Sequence, residues 1–215
     1  MSAECAVRTI VTAISSTIVA NAFNYRSYDV RGADFTADWL KELDNGRLAV
    51  RFLASRTFHQ TIQTSTTNPS LTRDIAGVTG SAVGFLTDWA SAANLTANLI
   101  ATYSRDNYTV TGQARFVSDG VNNPDQAGPD SPDFAAPLPG RQSVNVNTVP
   151  AATLLTVAGS YNFELTGGNS LQVYGTINNL LDEEPPLIGS GVGGTQPIFF
   201  DSIGRQYRVG LRMNF

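Results

Sequence analysis

Residues 203–215 read Ile-Gly-Arg-Gln-Tyr-Arg-Val-Gly-Leu-Arg-Met-Asn-Phe, and this stretch decides the fold class. Counting back in steps of two, Phe215, Met213, Leu211, Val209 and Tyr207 fall together. Asn214, Arg212, Gly210, Arg208 and Gln206 fall between them. One face is apolar and the other charged or small, with the period of two that marks a β-strand. Thirteen residues at about 3.3 Å each reach roughly 43 Å, and a tilt of about 45° projects that to about 30 Å, enough to cross an apolar band of about 25 Å. The expected element is a membrane-crossing strand over Ile203 to Phe215 with lipid against one face. Its last aromatic, Phe215, falls at the height of an interfacial girdle.

Composition agrees with that reading. No run in the 215 residues approaches the roughly 18 apolar residues of a spanning helix, which excludes a helical membrane protein. A barrel survives the same test, because alternation averages each segment towards zero and the mean hydropathy is -0.08. The net charge of -4 and pI near 4.9 argue against a nucleic-acid partner, since phosphate binding needs a basic surface. The single Cys5 can form neither an intrachain disulfide nor a metal site. Met1 to Arg8 lacks the basic and apolar regions of a secretory signal, which leaves two alternatives: the membrane reading is wrong, or the chain is a fragment whose export signal lies upstream.

Further alternating segments precede the last one. From Asn24 to Leu40, Val30, Gly32, Asp34, Thr36 and Asp38 alternate with Ala33, Phe35, Ala37 and Trp39. Asp44-Asn45-Gly46 then signals a turn. Strands are expected from Arg47 to about His59, Asn94 to Ser104, Tyr108 to Phe116, Leu155 to Leu165 and Leu171 to Asn178. The connections alternate between short (42–46, 105–107, 166–169) and long (Thr61 to Ala92, Ser118 to Pro150, Asp182 to Ser202). The second long one carries Pro124, Pro129, Pro132, Pro137 and Pro139, which bars helix or central strand. In an antiparallel meander alternate connections share one end, so short turns gather at one end and long loops at the other, the habit of outer-membrane barrels. Trp39, Tyr103, Tyr108, Phe163 and Phe215 fall toward the short-turn end. About seven strands are expected over residues 24–215, with residues 1–23 a loop or hairpin before them.

Val-Tyr-Gly-Thr-Ile-Asn-Asn-Leu-Leu-Asp-Glu-Glu-Pro-Pro at 173–186, followed by Gly204-Arg205-Gln206-Tyr207 and a strand ending on Phe215, resembles the carboxy-terminal end of TonB-dependent outer-membrane receptors. Asn24 with Val30-Arg31-Gly32-Ala33-Asp34 is similar to a strand opening of that family. The resemblance implies an all-β, antiparallel transmembrane barrel of 22 strands with a plugged lumen, of which the chain holds about the last third and which is open in isolation. It also implies, for the parent protein, active uptake of a scarce bulky nutrient of the siderophore, cobalamin or glycan class in the outer membrane of a Gram-negative bacterium. The implied partners are outer-membrane lipid, the barrel-assembly machinery and, through a plug region with no counterpart here, the inner-membrane energy-coupling protein TonB. Tyr207, Val209, Leu211, Met213 and Phe215 then form the outer-membrane assembly signal. No cofactor, metal or catalytic residue is expected, and the sequence does not name the transported ligand.

Arg51, Arg115, Arg208 and Arg212 fall on the face opposite lipid, where they are candidates to pair with a plug or line a substrate path, against the simpler reading of a solvated wall. His59, the only histidine, lacks a Gly-x-Ser-x-Gly context and reads as a surface residue near a loop. Asp182-Glu183-Glu184 lacks the spaced ligands of a calcium loop, and Gly189 to Gly194 opens no helix that would cradle phosphate. Asn94-Leu-Thr and Asn107-Tyr-Thr match the glycosylation pattern but sit beside strands. Two other functions stay open: a self-contained barrel of about eight strands with a structural or adhesive role, and an outer-membrane hydrolase.

Overall fold

The computed structural model describes residues 27–63, 72–80, 92–136, 142–188 and 194–215. The expected loop or hairpin over residues 1–23 lies outside them, as do residues 24–26 of the first expected strand and most of the glycine-rich segment 189–194. Seven long strands form the sheet: β1 (Ser27–Leu43), β2 (Gly46–Gln63), β4 (Leu95–Arg105), β5 (Tyr108–Val117), β10 (Ala152–Glu164), β11 (Ser170–Asn178) and β12 (Gln206–Asn214). Short strands fall in the long connections: β3 (Thr72–Asp74), β6 (Gly120–Val121), β7 (Gln126–Ala127), β8 (Gln142–Ser143) and β9 (Thr148–Val149). The long strands lie side by side in chain order and every pair is antiparallel, which makes a meander. Among the described residues no ladder joins β12 to β1, so the sheet has two free edges.

The turns follow from local chemistry. Asp44 and Asn45 make a two-residue hairpin between the paired Leu43 and Gly46. Asp106 at φ 42° makes the next, and Gly167 and Gly168, at φ 84° and 82°, make the third, where the left-handed region favours glycine. A β-bulge at Phe58 shifts the β1–β2 register between Arg31 and Gly32. There Gly32 lies against the Arg56 carbonyl, where an added Cβ would stand 2.7 Å from the oxygen.

Register fixes the two faces. Phe215 follows β12 in phase with Met213, Leu211, Val209 and Tyr207, whose partners are Leu171, Val173, Gly175 and Ile177. These partners continue the same face to Phe163, Tyr161, Gly159 and Val157 on β10. Beyond them it runs through Val110 on β5, Tyr103 and Leu99 on β4, Leu48, Val50 and Phe52 on β2, and Trp39 and Phe35 on β1. Aromatic pairs stud it: Phe35–Phe52 at 6.1 Å, Tyr103–Tyr108 at 5.9 Å and Tyr161–Phe163 at 4.5 Å between ring centroids. Nothing in the described residues covers this face: Val209 is 78%, Leu211 69% and Phe215 93% exposed. Phe35, Trp39, Tyr161, Phe163, Tyr207 and Phe215 are each at least two-fifths exposed. At roughly 150–250 Å² per aromatic side chain they alone present on the order of 700 Å², more than the largest apolar patch of a typical soluble monomer.

The buried core lies elsewhere, at the long-loop end of the sheet. Ile62 packs with Ile75, Val78 and Val121, while Val117 and Ala152 pack with Ala93, Val149, Ile188, Phe199 and Phe200. Val117 and Ala152 are register partners on the polar face, so the loops fold down over the top of that face and leave the apolar one bare. A network on Asn147 knits the cap together: its Oδ1 accepts from the Asn123 amide at 2.9 Å, and its Nδ2 donates to the carbonyls of Asn123 and Gln126.

Two expectations are corrected. The last strand begins at Gln206 instead of Ile203, because residues 203–205 belong to the connection that Asp182 holds. Its nine residues run about 30 Å. Residues 61–63, expected in a loop, extend β2, and β3 pairs with that extension. The connection from Ser118 to Pro150 holds neither helix nor a strand of the main sheet among its described residues, but its short strands β6 to β9 pair with one another and it supplies part of the core.

Strand ends step steadily across the sheet. One register row runs Lys41, Leu48, Tyr103, Val110, Gly159, Gly175, Val209. At the short-turn end β1 stops two residues past it at Leu43, and β12 five past it at Asn214. At the loop end β2 runs fifteen residues beyond Leu48 to Gln63, whereas β12 starts three beyond Val209 at Gln206. Both ends step in the same sense, so successive strands are staggered along their length across the sheet.

Candidate functional site

Opposite the apolar face lies a carpet of hydroxyls, amides and a few charges. Thr102 and Thr111 share a hydrogen bond at 3.1 Å, Gln113 Nε2 donates to Asn98 Oδ1 at 3.0 Å, and Thr109 donates to Ser104 at 3.3 Å. The Asn214 amide donates to Ser170 at 3.4 Å, and the Ser55 hydroxyl donates to Asp34. Each pair joins neighbouring strands, the arrangement by which cross-strand side chains stabilise a sheet.

All four arginines singled out from the sequence stand on this face. Arg51 on β2 is directly opposite Asp38 on β1, and its Nε donates to Asp38 Oδ1 at 2.5 Å. Its carboxylate partner therefore belongs to the wall itself. Arg115 on β5 sits between Asn98 and Leu154 in the register, and Arg208 and Arg212 on β12 face Thr176 and Gln172. Among the described residues these three have no ion-pair partner. The structure thus places the four on one face without gathering them into a cluster.

Arg115 stands between two depressions, each of about 300 Å³. Towards β1 the lining includes Asp34, Ser55, Thr96 and Asn98. Towards β12 it includes Gln113, Leu154, Thr156, Asn178, Asn179 and Asp201. The ring of Tyr174 lies over its register partner Gly210 on β12, where an added Cβ would stand 2.2 Å from a ring carbon.

The two halves of the motif at 179–182 and 204–207 meet. Asn179, 3% exposed and at φ 52°, accepts from the Glu183 amide at 2.8 Å and donates to the Glu183 carbonyl at 2.9 Å. This tight loop brings Asp182 back so that its Oδ1 accepts from the Arg205 amide at 2.9 Å and its Oδ2 lies 3.6 Å from Arg205 Nη2. An added Cβ at Gly204 would stand 3.2 Å from Asp182 Oδ1, so the glycine lets the chain pass close to the carboxylate. Asp182 and Arg205 therefore clasp the base of the last long connection. The sequence held the residues, but their spacing of 23 gave no sign that they touch.

His59 has an acid after all. Its Nδ1 lies 2.9 Å from Asp74 Oδ2, and Asp74 Oδ1 accepts from the amides of Gln60 at 3.1 Å and Ala76 at 3.0 Å. Burial pushes the Asp74 carboxyl up, but the hydrogen bonds from His59, Ala76 and Gln60 outweigh it and hold the group below its ordinary value. With side chains 60% and 44% exposed, the pair docks β3 against the projecting end of β2. No group of three or more potential metal ligands occurs among the described residues. No helix among them is long and apolar enough to cross a membrane.

Comparison with protein-family models, with curated proteins and with solved structures finds no match to this chain.

Proposed function

We propose that the chain is the carboxy-terminal wall of an outer-membrane β-barrel of the TonB-dependent receptor type, serving active uptake of a scarce bulky solute. One observation carries the reading: a seven-strand meander whose apolar face is uncovered over its whole width, while its polar face holds the loops. A soluble sheet buries its apolar face, and lipid is the solvent that removes the need. Strand length supports it. The eleven residues of β4 span about 36 Å, or about 25 Å at a tilt of 45°, the height of the apolar band. Arg105 closes that band at one end of β4, and Arg56 closes it on the facing strand beside Leu95.

Direction of the edge strands bears on closure. Seven strands that alternate in direction leave β1 and β12 pointing the same way, so an all-antiparallel barrel needs an odd number of further strands between them. A receptor barrel of 22 strands supplies fifteen, and a small barrel of eight supplies one. Coding sequence read upstream in frame distinguishes them. A plug-like domain and many further alternating segments support the receptor, and a start codon one strand away overturns it. The hydrolase reading gains nothing from His59, whose acid is engaged in docking β3.

A further inference from the structure

The geometry points to a subsite for a zwitterionic group, a carboxylate and a protonated amine carried on one ligand, in the depression between Arg115 and Asp201. The inference deepens the uptake reading and rests on its premise that the polar face borders a solvent-filled passage. The depression encloses about 300 Å³ below the last long connection, and Leu154 is its apolar lining. At about 30 Å³ per water molecule it holds roughly ten waters, room for a group the size of an amino acid.

Its lining is chemically two-sided. Arg115 has no ion-pair partner among the described residues, and its fork of N–H donors suits a carboxylate. Asp201 uses Oδ1 to accept from the Ile203 amide at 2.9 Å, which leaves Oδ2 to receive an ammonium. Gln113 with its register partner Thr156, and Asn178 on the next strand, also line the depression and offer neutral donors and acceptors. A simple anion meets repulsion from Asp201, and a simple cation meets it from Arg115. A neutral sugar leaves both charges unanswered. A ligand bearing both charges satisfies each wall at once.

The test uses the protein expressed from its natural reading frame, extracted in detergent and labelled with ¹⁵N-arginine. Glycine, glycylglycine and 6-aminohexanoate are titrated as zwitterions of increasing charge separation, with acetate and ethylamine as single-charge controls. The expected result is a saturable shift of the Arg115 Nε–H resonance with at least one zwitterion and little with either control. The fitted Kd should rise about tenfold in Asp201→Asn. In Arg115→Lys, read by calorimetry, binding should weaken but persist, and in Arg115→Gln it should vanish, while Glu164→Gln at the far end of the face leaves it unchanged. Absence of a shift with all three zwitterions, an equal response to acetate, or tighter binding in Asp201→Asn overturns the subsite. Such a failure leaves the lipid-facing reading untouched, because that reading is decided on the opposite face.

Discussion

Replacing Leu211 by arginine separates a lipid-facing sheet from a soluble one by the size of its effect. Leu211 lies four residues from Tyr207 and four from Phe215, about 13 Å of strand each way, so a tilt of about 45° puts it midway between these two aromatics, about 9 Å from each along the membrane normal. At that depth an outward arginine costs about 2–4 kcal/mol, roughly 30- to 1,000-fold in the folding equilibrium. In water the same change at a side chain already 69% exposed falls within about 0.5 kcal/mol. Thr111→Arg is the matched control. It lies on the polar face between Thr102 and Ala158, and it forfeits one hydrogen bond worth about 1 kcal/mol. Gly210→Arg is a poorer control, since the Tyr174 ring occupies the space a side chain needs. Urea titrations of the protein folded into phosphatidylcholine vesicles, expressed from its natural reading frame, give both values. A cost at Leu211 no larger than that at Thr111 refutes the argument.

Other consequences follow from the loop end and the edges. Asn179→Ala removes two hydrogen bonds from a side chain 3% exposed and leaves the Glu183 backbone unpaired. It should cost about 1–3 kcal/mol and raise amide exchange at Arg205, where the clasp closes; unchanged exchange at Arg205 argues that the clasp is independent of the tight loop. Because Asp74 titrates below its ordinary value, its contribution is complete above the unfolded pKa of about 3.9 and is lost as pH falls through the lower folded value. Amide exchange at Gln60 and Ala76 should therefore stay slow through mild acid and quicken only below that value, and quickening at higher pH contradicts the assignment. The 215 residues alone, given an export signal, should not yield a heat-modifiable, protease-resistant monomer, because the edges of β1 and β12, unpaired among the described residues, leave backbone groups unsatisfied in lipid at several kcal/mol each. A stable monomer of that kind favours the small closed barrel.

Much of the sheet is legible in the sequence because a period of two survives any tertiary context. Leu48, Val50 and Phe52 had to share a face whatever lay behind it, and the two-residue turn at Asp44-Asn45 fixes the register that sets Arg51 opposite Asp38. The turn register alone places that ion pair, whereas the alternation within either strand by itself does not. The extension of β2 was hidden by the bulge at Phe58, which breaks the alternation so that Thr61-Ile62-Gln63 reads as loop. The start of β12 falls at Gln206 because the odd-numbered apolar series ends at Tyr207: Arg205 interrupts it before Ile203, and Gly204 and Arg205 are committed to Asp182. The cap was invisible for another reason: its core joins Ala93, Val149 and Phe200 from separate connections, and no local pattern encodes such contacts.

Spin labels placed singly along β12 test the central claim most directly, through their relative accessibility to oxygen, which partitions into lipid, and to a water-soluble nickel chelate. Labels at Tyr207, Val209, Leu211 and Met213 should favour oxygen, and labels at Arg208 and Arg212 the chelate, giving an alternation of period two along the strand. Equal access of the chelate to both sets would show that water, and not lipid, lies against the apolar face.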